Sequence, residues 1–380
     1  MVKKKLLHIV TRLELGGTLS NILSLLEGLA TDYEVVLAVG SFKTEKEKVE
    51  SSAAVSGYRI VWLPDFRRNI SPLRDFNTML DLIDLILHEK PAIVHTHTSK
   101  AGILGRAASA FTGFKNTVHT PHGHVFYGYF NTFTSFIYIL MEGLAARFTN
   151  KIIVFSHAEK KDHLDRKIGK ENQFAVLPNG VDPAPYLKEY DTAAKKSELG
   201  IPPEKMVVGF AGRFEPVKGA IFFVKAVMKL NKERTDFTAV MAGSGYLEEA
   251  IRDLAKDEIE SGVLNMLGHR GDLPEILALT DIFVIPSKNE GFGLAAVEAA
   301  LSKKPVIASR VGGLPEIITD KETGLLVPSE NTEALSFALK KLLDDRAEAK
   351  RLGENGRKKA LEYYSREKML ERLTKIYENL

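Results

Sequence analysis

The stretch Pro286–Leu301, PSKNEGFGLAAVEAAL, restricts the possible folds most. An apolar run from Asp281 to Ile285 ends at Pro286-Ser287, crosses a tight glycine loop and opens directly into an alanine-rich helix. Gly291 and Gly293 allow a ligand close to the backbone. The amides across Gly291, Phe292, Gly293 and Leu294, at the positive end of the helix dipole, suit a phosphate. Glu290 falls on the loop and Glu298 inside the helix. Carboxylates are oddly placed for holding an anion and well placed for accepting hydrogen bonds from hydroxyls. A ligand carrying both phosphate and polyol groups fits the stretch better than either group alone.

At 380 residues the chain exceeds one ordinary core, so two domains are expected. Lys plus Arg minus Asp plus Glu is 52 minus 49, or +3, which gives no excess for binding a polyanion such as nucleic acid. The absence of cysteine excludes disulfide and thiolate chemistry and permits a reducing compartment. The opening MVKKKLLHIV is basic, but its apolar run stops at Arg12, too short for a signal peptide or a membrane span.

Leu6–Val10 reads as a strand, Gly16-Gly17 as a turn, and Leu19, Ile22, Leu23, Leu26 and Leu29 as a helix face. Gly16 and Gly17 are either a ligand-facing loop or a plain helix-entry turn. Strands follow at 33–39 and 59–63, then an amphipathic helix with Leu73, Phe76, Leu80, Ile83 and Leu87 as its apolar stripe, then a strand at 92–95. The alternation predicts a parallel, doubly wound sheet.

Five of the ten histidines lie between His95 and His124, just after predicted strands, where open α/β sheets bind ligands. A metal site at His119, His122 and His124 is the rival reading, but there is no helical i,i+4 histidine pair, no cysteine and no nearby carboxylate. Lys100 and Arg106 are candidates for a phosphate-bearing acceptor, and a solvated helix face explains Arg106 equally well. The aromatic run 125–148, interrupted by Glu142, is too polar to span a bilayer. A buried helix is the default reading, and peripheral membrane contact is the alternative.

Asn179–Pro183 resembles an interdomain linker. The second half opens with a strand ending in GRFEPVKG, where Arg213 and Lys218 converge on a helix N-terminus. Its glycine pattern is not that of a Walker loop.

The spacing Glu290, seven residues, Glu298 resembles the E-x7-E motif of retaining family-4 glycosyltransferases of the GT-B fold. GRFEPVKG, MAGSG at 241–245, PVIASRVGGLPEII and LPNGVD at 177–182 match as well. The resemblance implies two Rossmann-like doubly wound domains with an interdomain cleft: 1–182 on the acceptor side, joined by a returning C-terminal helix at 363–380, and 183–362 binding the nucleotide sugar. It implies that Arg213 and Lys218 bind the donor diphosphate, Glu298 the ribose, and Glu290 with the 291–294 amides the sugar and phosphate. Gly16 and Gly17 would face the diphosphate and acceptor, Arg270 the base, and His122, with His119 second, the sugar. The family usually has a glycine before the proline where this chain has Ser302-Lys303-Lys304-Pro305.

The implied reaction is hexosyl transfer, with retention, from a nucleotide-diphosphate sugar to an acceptor hydroxyl in polysaccharide or glycolipid synthesis. The base would be uridine by family frequency, and the setting cytoplasmic, at the inner face of the membrane if the acceptor is lipid-linked. No Asp-x-Asp occurs, which argues against a metal-bound donor, so no cofactor is expected. The alternatives are a nucleotide-sugar 2-epimerase of the same fold and a non-catalytic sugar-nucleotide-binding protein. A Rossmann dehydrogenase is disfavoured by the lack of G-x-G-x-x-G after the first strand.

Overall fold

A computed structural model describes residues 3–13, 17–40, 46–122 and 132–380. The chain forms two compact units, one of Met1–Gly180 with Arg366–Leu380 and one of Val181–Ser365.

The first unit holds seven parallel strands: β1 Lys5–Val10, β2 Glu34–Gly40, β3 Arg59–Leu63, β4 Ile93–His97, β5 Thr117–Thr120, β6 Lys151–Val154 and β7 Phe174–Val176. Their spatial order is β3-β2-β1-β4-β5-β6-β7. Leu7, Val36 and Val94 feed the core on one face, and Leu6, Val35 and Ile93 the core on the other. A parallel sheet covered on both sides needs strands apolar at nearly every position, which is why β1 and β2 read as continuous runs. The strand order reverses between β1 and β4, where His8 stands beside His95 and Val10 beside His97.

Three helical readings are corrected. In helix Pro72–Glu89 the buried residues are Thr78, Leu82, Leu85, Ile86 and Glu89, while Leu73, Phe76, Leu80 and Leu87 face solvent. The helix carries two apolar stripes, and the one not expected packs on the sheet. Helix Thr132–Ala145 is not a buried helix. It turns Glu142 inward to meet Arg106 at 2.6 Å and leaves Phe136, Ile137, Leu140, Met141 and Leu144 exposed. The helix expected over Leu361–Leu380 is two helices, Arg346–Tyr363 and Arg366–Glu378. They part where the Tyr364 carbonyl accepts the Val181 N–H at 2.9 Å and Ser365 bridges Val181. Met369, Leu373 and Tyr377 of the last helix join the core of the first unit.

The second unit has six parallel strands: β8 Met206–Ala211, β9 Phe237–Ala242, β10 Leu264–Gly268, β11 Ile282–Ile285, β12 Val306–Ser309 and β13 Gly324–Val327, in the order β10-β9-β8-β11-β12-β13. Its switch point lies between β8 and β11, so the loops leaving their C-terminal ends line the crevice where such sheets bind ligands. In the turn where the usual glycine is missing, Lys303 itself takes the left-handed conformation at φ 60°.

The β8 and β11 loops meet through backbone. Gly219 has φ 70°, and a β-carbon there would lie 1.9 Å from the Pro286 carbonyl oxygen. Gly219→Ala should therefore combine left-handed strain of about 1–2 kcal/mol with a contact that only backbone movement relieves, for a loss of about 3 kcal/mol. Gly262→Ala is the control: φ is 72° and nothing stands within 4 Å of the added carbon. It should lose the strain alone, about 1–2 kcal/mol, and urea unfolding of the two variants checks the difference.

Candidate functional site

After β8 the chain forms a short turn at Pro216–Lys218 and enters helix Ala220–Asn231; after β11 it runs through Pro286–Gly293 into helix Leu294–Leu301. The Lys288 N–H donates to the Val217 carbonyl at 2.8 Å, joining the loops beside the Gly219 contact. Lys218 Nζ then stands 2.8 Å from both Glu290 carboxylate oxygens, and Ser287 Oγ donates to Glu290 Oε2 at 3.0 Å. The Glu290 backbone is fixed as well: its carbonyl accepts the Gly313 N–H at 2.9 Å, and a β-carbon on Gly312 would sit 1.9 Å from that oxygen. Arg213 Nη1 pairs with Glu215 at 2.7 Å, with 58% of the Arg213 side chain exposed. Such a surface pair is worth about 0–1 kcal/mol, so an anionic ligand can compete for the guanidinium.

Gly293, at φ 108°, caps helix Leu294–Leu301, and its carbonyl accepts the first-turn Ala296 N–H at 2.9 Å, which leaves the amides ahead of Ala296 without partners inside the helix. Phe292 is buried edge-on against Tyr364, and Leu294 is half-buried. Glu298 points toward Tyr186, whose hydroxyl donates to Oε1 at 3.0 Å. Burial pushes the Glu298 carboxyl up from its ordinary range, and the Tyr186 hydrogen bond partly opposes this. Burial, and the Glu298 charge after it, likewise raise the Tyr186 phenol.

Arg270 lies apart from this group. It donates to Asp272 at 2.7 and 2.5 Å and to Glu198 at 3.1 Å, in a network that Lys195 extends to Glu275. Its network ties helix Thr192–Glu198 to helix Leu273–Leu279 and holds the Asp272 carboxyl far below its usual range.

In the first unit, His122 Nε2 lies 2.8 Å from His97 Nδ1, and His97 Nε2 lies 2.9 Å from His8 Nδ1. Burial pushes His8 and His122 down to about 3 and holds His97 well below its ordinary value, so all three are neutral at physiological pH. His119 is buried, with Nδ1 2.9 Å from Thr96 Oγ1 and Nε2 3.8 Å from Glu142. Arg106 is fully buried on Glu142 and the Gly102 carbonyl, which corrects both its solvated reading and its acceptor reading. Lys100 donates to the Arg67 and Asn69 carbonyls at 2.7 Å and forms an ion pair with Asp75 at 2.5 Å, all inside the unit. Gly17 begins helix Gly17–Leu29; Gly16 and His124 lie outside the described residues.

The chain matches the family Glycosyltransferase Family 4 over residues 15–185 and Glycosyl transferases group 1 over 191–359. It is 30% identical over 327 residues, 84% of this chain and 83% of the relative, to an Escherichia coli UDP-Gal:α-D-GlcNAc-diphosphoundecaprenol α-1,3-galactosyltransferase. It is 26% identical to the Staphylococcus aureus capsular polysaccharide biosynthesis glycosyltransferase CapM, covering 82% of this chain and 83% of that one. In fold it resembles the crystal structure of Anabaena HepE in complex with UDP and glucose: TM-score 0.85, 18% identity, 99% of this chain and 100% of that one covered. The chain belongs to the group 1, family-4 glycosyltransferases, and its two Rossmann-like units are those of the GT-B fold.

Two participants escaped the sequence. Ser287 could have been suspected from its place beside the glycine loop. Tyr186 lies 112 residues from Glu298, and no local signal links them. Because the folded Glu298 pKa is raised, the stability this group contributes is full below its unfolded pKa and lost as pH rises through the folded value. Glu298→Gln removes that loss and keeps an acceptor for Tyr186. It should melt on the order of 2–4 °C above wild type at pH 8, with the gain gone by about pH 4; scanning calorimetry at the two pH values checks this.

Proposed function

We propose that this glycosyltransferase moves a hexose from a UDP-sugar, with retention at the anomeric carbon, to a hydroxyl of a lipid-diphosphate-linked acceptor, in glycolipid or polysaccharide synthesis. The observation that carries the reading is the Lys218–Glu290 pair beside Arg213 and a glycine-entered helix, at the switch point of the second sheet. The E. coli relative is named for a UDP-sugar donor and a diphosphoundecaprenol acceptor, and HepE was crystallised with UDP. Retention is supported by the E-x7-E resemblance.

In this reading the bond from the anomeric carbon to the diphosphate breaks as the acceptor oxygen bonds to the same face. The departing phosphate oxygen takes the acceptor's proton. Charge grows on the diphosphate, so Arg213, Lys218 and the 291–294 amides lower the barrier by meeting it in place. Glu298 holds the ribose, Glu290 the sugar, and His122, by resemblance, a sugar oxygen. Gly16, Gly17 and His119 are proposed by resemblance alone. For Arg270 and Lys100 the reading must compete with the internal pairs described above. No divalent metal is required, because fixed cations do its work.

Arg213→Ala should lower kcat about a hundredfold to a thousandfold while changing the donor KM little, and Arg213→Lys should recover only part of the rate. Initial rates with UDP-sugars in EDTA check this. Loss of wild-type activity in EDTA, regained with manganese, would overturn the metal-free mechanism.

The lipid-borne acceptor is supported by the surface of the first unit. Ile70, Leu73, Phe76 and Leu80 are exposed on and before helix Pro72–Glu89, and Phe136, Leu140 and Leu144 on helix Thr132–Ala145. Arg67, Arg68, Arg74 and Arg147 are exposed among them. Apolar stripes with cations suit an anionic bilayer surface, and no described helix is long and apolar enough to cross a membrane. The protein should float with phosphatidylglycerol liposomes at low salt. Phe136→Asp with Leu140→Asp should reduce the bound fraction at least tenfold, since each such side chain contributes about 1.5–3 kcal/mol on burial. Flotation unchanged by the double variant would remove this surface.

A further inference from the structure

We propose that His122 offers its ligand an N–H donor, never a bare nitrogen, because the chain His8–His97–His122 fixes its tautomer. This rests on the reading that His122 meets substrate. Three neutral imidazoles in series have two self-consistent proton arrangements. In the first, each proton sits on Nδ1: His8 donates to His97 Nε2 at 2.9 Å, His97 donates to His122 Nε2 at 2.8 Å, and His122 presents Nδ1–H. In the second, each proton sits on Nε2, every arrow reverses, and His122 presents a lone pair.

The far end of the chain decides between them. Among the described residues, His8 Nε2 is buried with no hydrogen-bond partner. The second arrangement strands an N–H there, whereas the first leaves only an unused acceptor, and buried orphan donors are the rarer defect. Burial also keeps the rings neutral, so neither nitrogen pair is rescued by an extra proton.

A metal is the competing use of these rings, since one nitrogen each from His8, His95 and His97 lie within 4.8 Å of one another. His95 has both nitrogens occupied, Nδ1 by the Tyr377 hydroxyl at 2.6 Å and Nε2 by Thr120 at 2.8 Å. His97 has both nitrogens on histidines. A cation would have to break this set, so the rings act on one another.

His97 is therefore a positioning residue and His8 the terminus that sets direction. With the proton on Nδ1, His122 can hydrogen-bond a hydroxyl, carbonyl or phosphate oxygen and cannot accept an acceptor's proton there, which leaves that proton to the departing phosphate.

The test is long-range 1H–15N correlation on the full protein with 15N-histidine, the His122 signals assigned by their loss in His122→Asn. The expected result is a proton on Nδ1 of His122. A proton on Nε2, or on both nitrogens, overturns the proposal. In His97→Leu the donor to His122 Nε2 is gone, so mixed tautomers and a kcat lowered about tenfold to a hundredfold are expected. His97→Gln, whose amide can donate to the same nitrogen, should restore Nδ1–H and most of the rate. A pure Nδ1–H signal in a folded His97→Leu would show that His97 does not set the tautomer. Stoichiometric zinc binding that shifts the His8, His95 and His97 signals would replace the chain with a metal site. Absence of transferase activity in wild type would fail the functional reading alone, because the tautomer is read without substrate.

Discussion

The second unit depends on one meeting of two loops. Lys218 reaches Glu290 only because Gly219 admits the Pro286 carbonyl and Lys288 N–H closes on Val217. The ion pair itself adds little stability, since the Lys218 side chain is 27% exposed and pairs at that level of hydration gain little over water. Its value is placement. An ammonium already desolvated on one side and fixed at 2.8 Å needs little reorganisation when a more charged oxygen arrives, and this is the condition for electrostatic catalysis. The stability that holds it comes from elsewhere: the β8–β11 pairing, and a core in which Phe214, Phe223 and Phe237 are almost wholly buried.

The first unit solves a different problem with the same topology. At its switch point β1 and β4 bring His8, His95 and His97 together in a sheet interior whose neighbouring positions are mostly aliphatic. Neutral imidazoles are tolerated there because nearly every ring nitrogen finds a partner; the Tyr377 hydroxyl comes from the final helix, 282 residues away from His95. The last helix thus contributes more than apolar cover. It supplies the hydroxyl that pairs with His95 Nδ1, and Met369 also takes the Gly180 N–H through its sulfur.

What could be read from sequence was what local chemistry dictates. Apolar runs marked the strands, glycines marked the loops, and an Ala-rich segment marked helix Leu294–Leu301, because each depends on residues within one turn of each other. The helix faces were harder. Helix Pro72–Glu89 has two apolar stripes, and the sheet chooses Leu82-Leu85-Ile86 over Leu73-Phe76-Leu80. In helix Thr132–Ala145 the buried-helix reading fails, since Glu142 faces inward to Arg106, 36 residues earlier, while Phe136, Ile137, Leu140, Met141 and Leu144 are exposed. The break at Tyr364-Ser365 falls at two middling helix formers, where the backbone pairs with the distant Val181.

The cations show most clearly why a candidate site cannot be completed from sequence. Lys100, Arg106, Arg213, Lys218 and Arg270 look alike as letters near predicted loops. In the structure Lys100 has two carbonyls and the Asp75 carboxylate inside its own unit, Arg106 has a buried carboxylate and a carbonyl, and Arg270 has two carboxylates. Moving any of these toward a ligand would strand a partner, and for Arg106 it would strand a buried charge. Arg213 and Lys218 face water on one side, with 58% and 27% of their side chains exposed, so a diphosphate can share them with the carboxylates they meet, Glu215 and Glu290. A charge becomes available for function by being left partly hydrated at a loop junction. That property belongs to the surroundings of a residue and not to its identity.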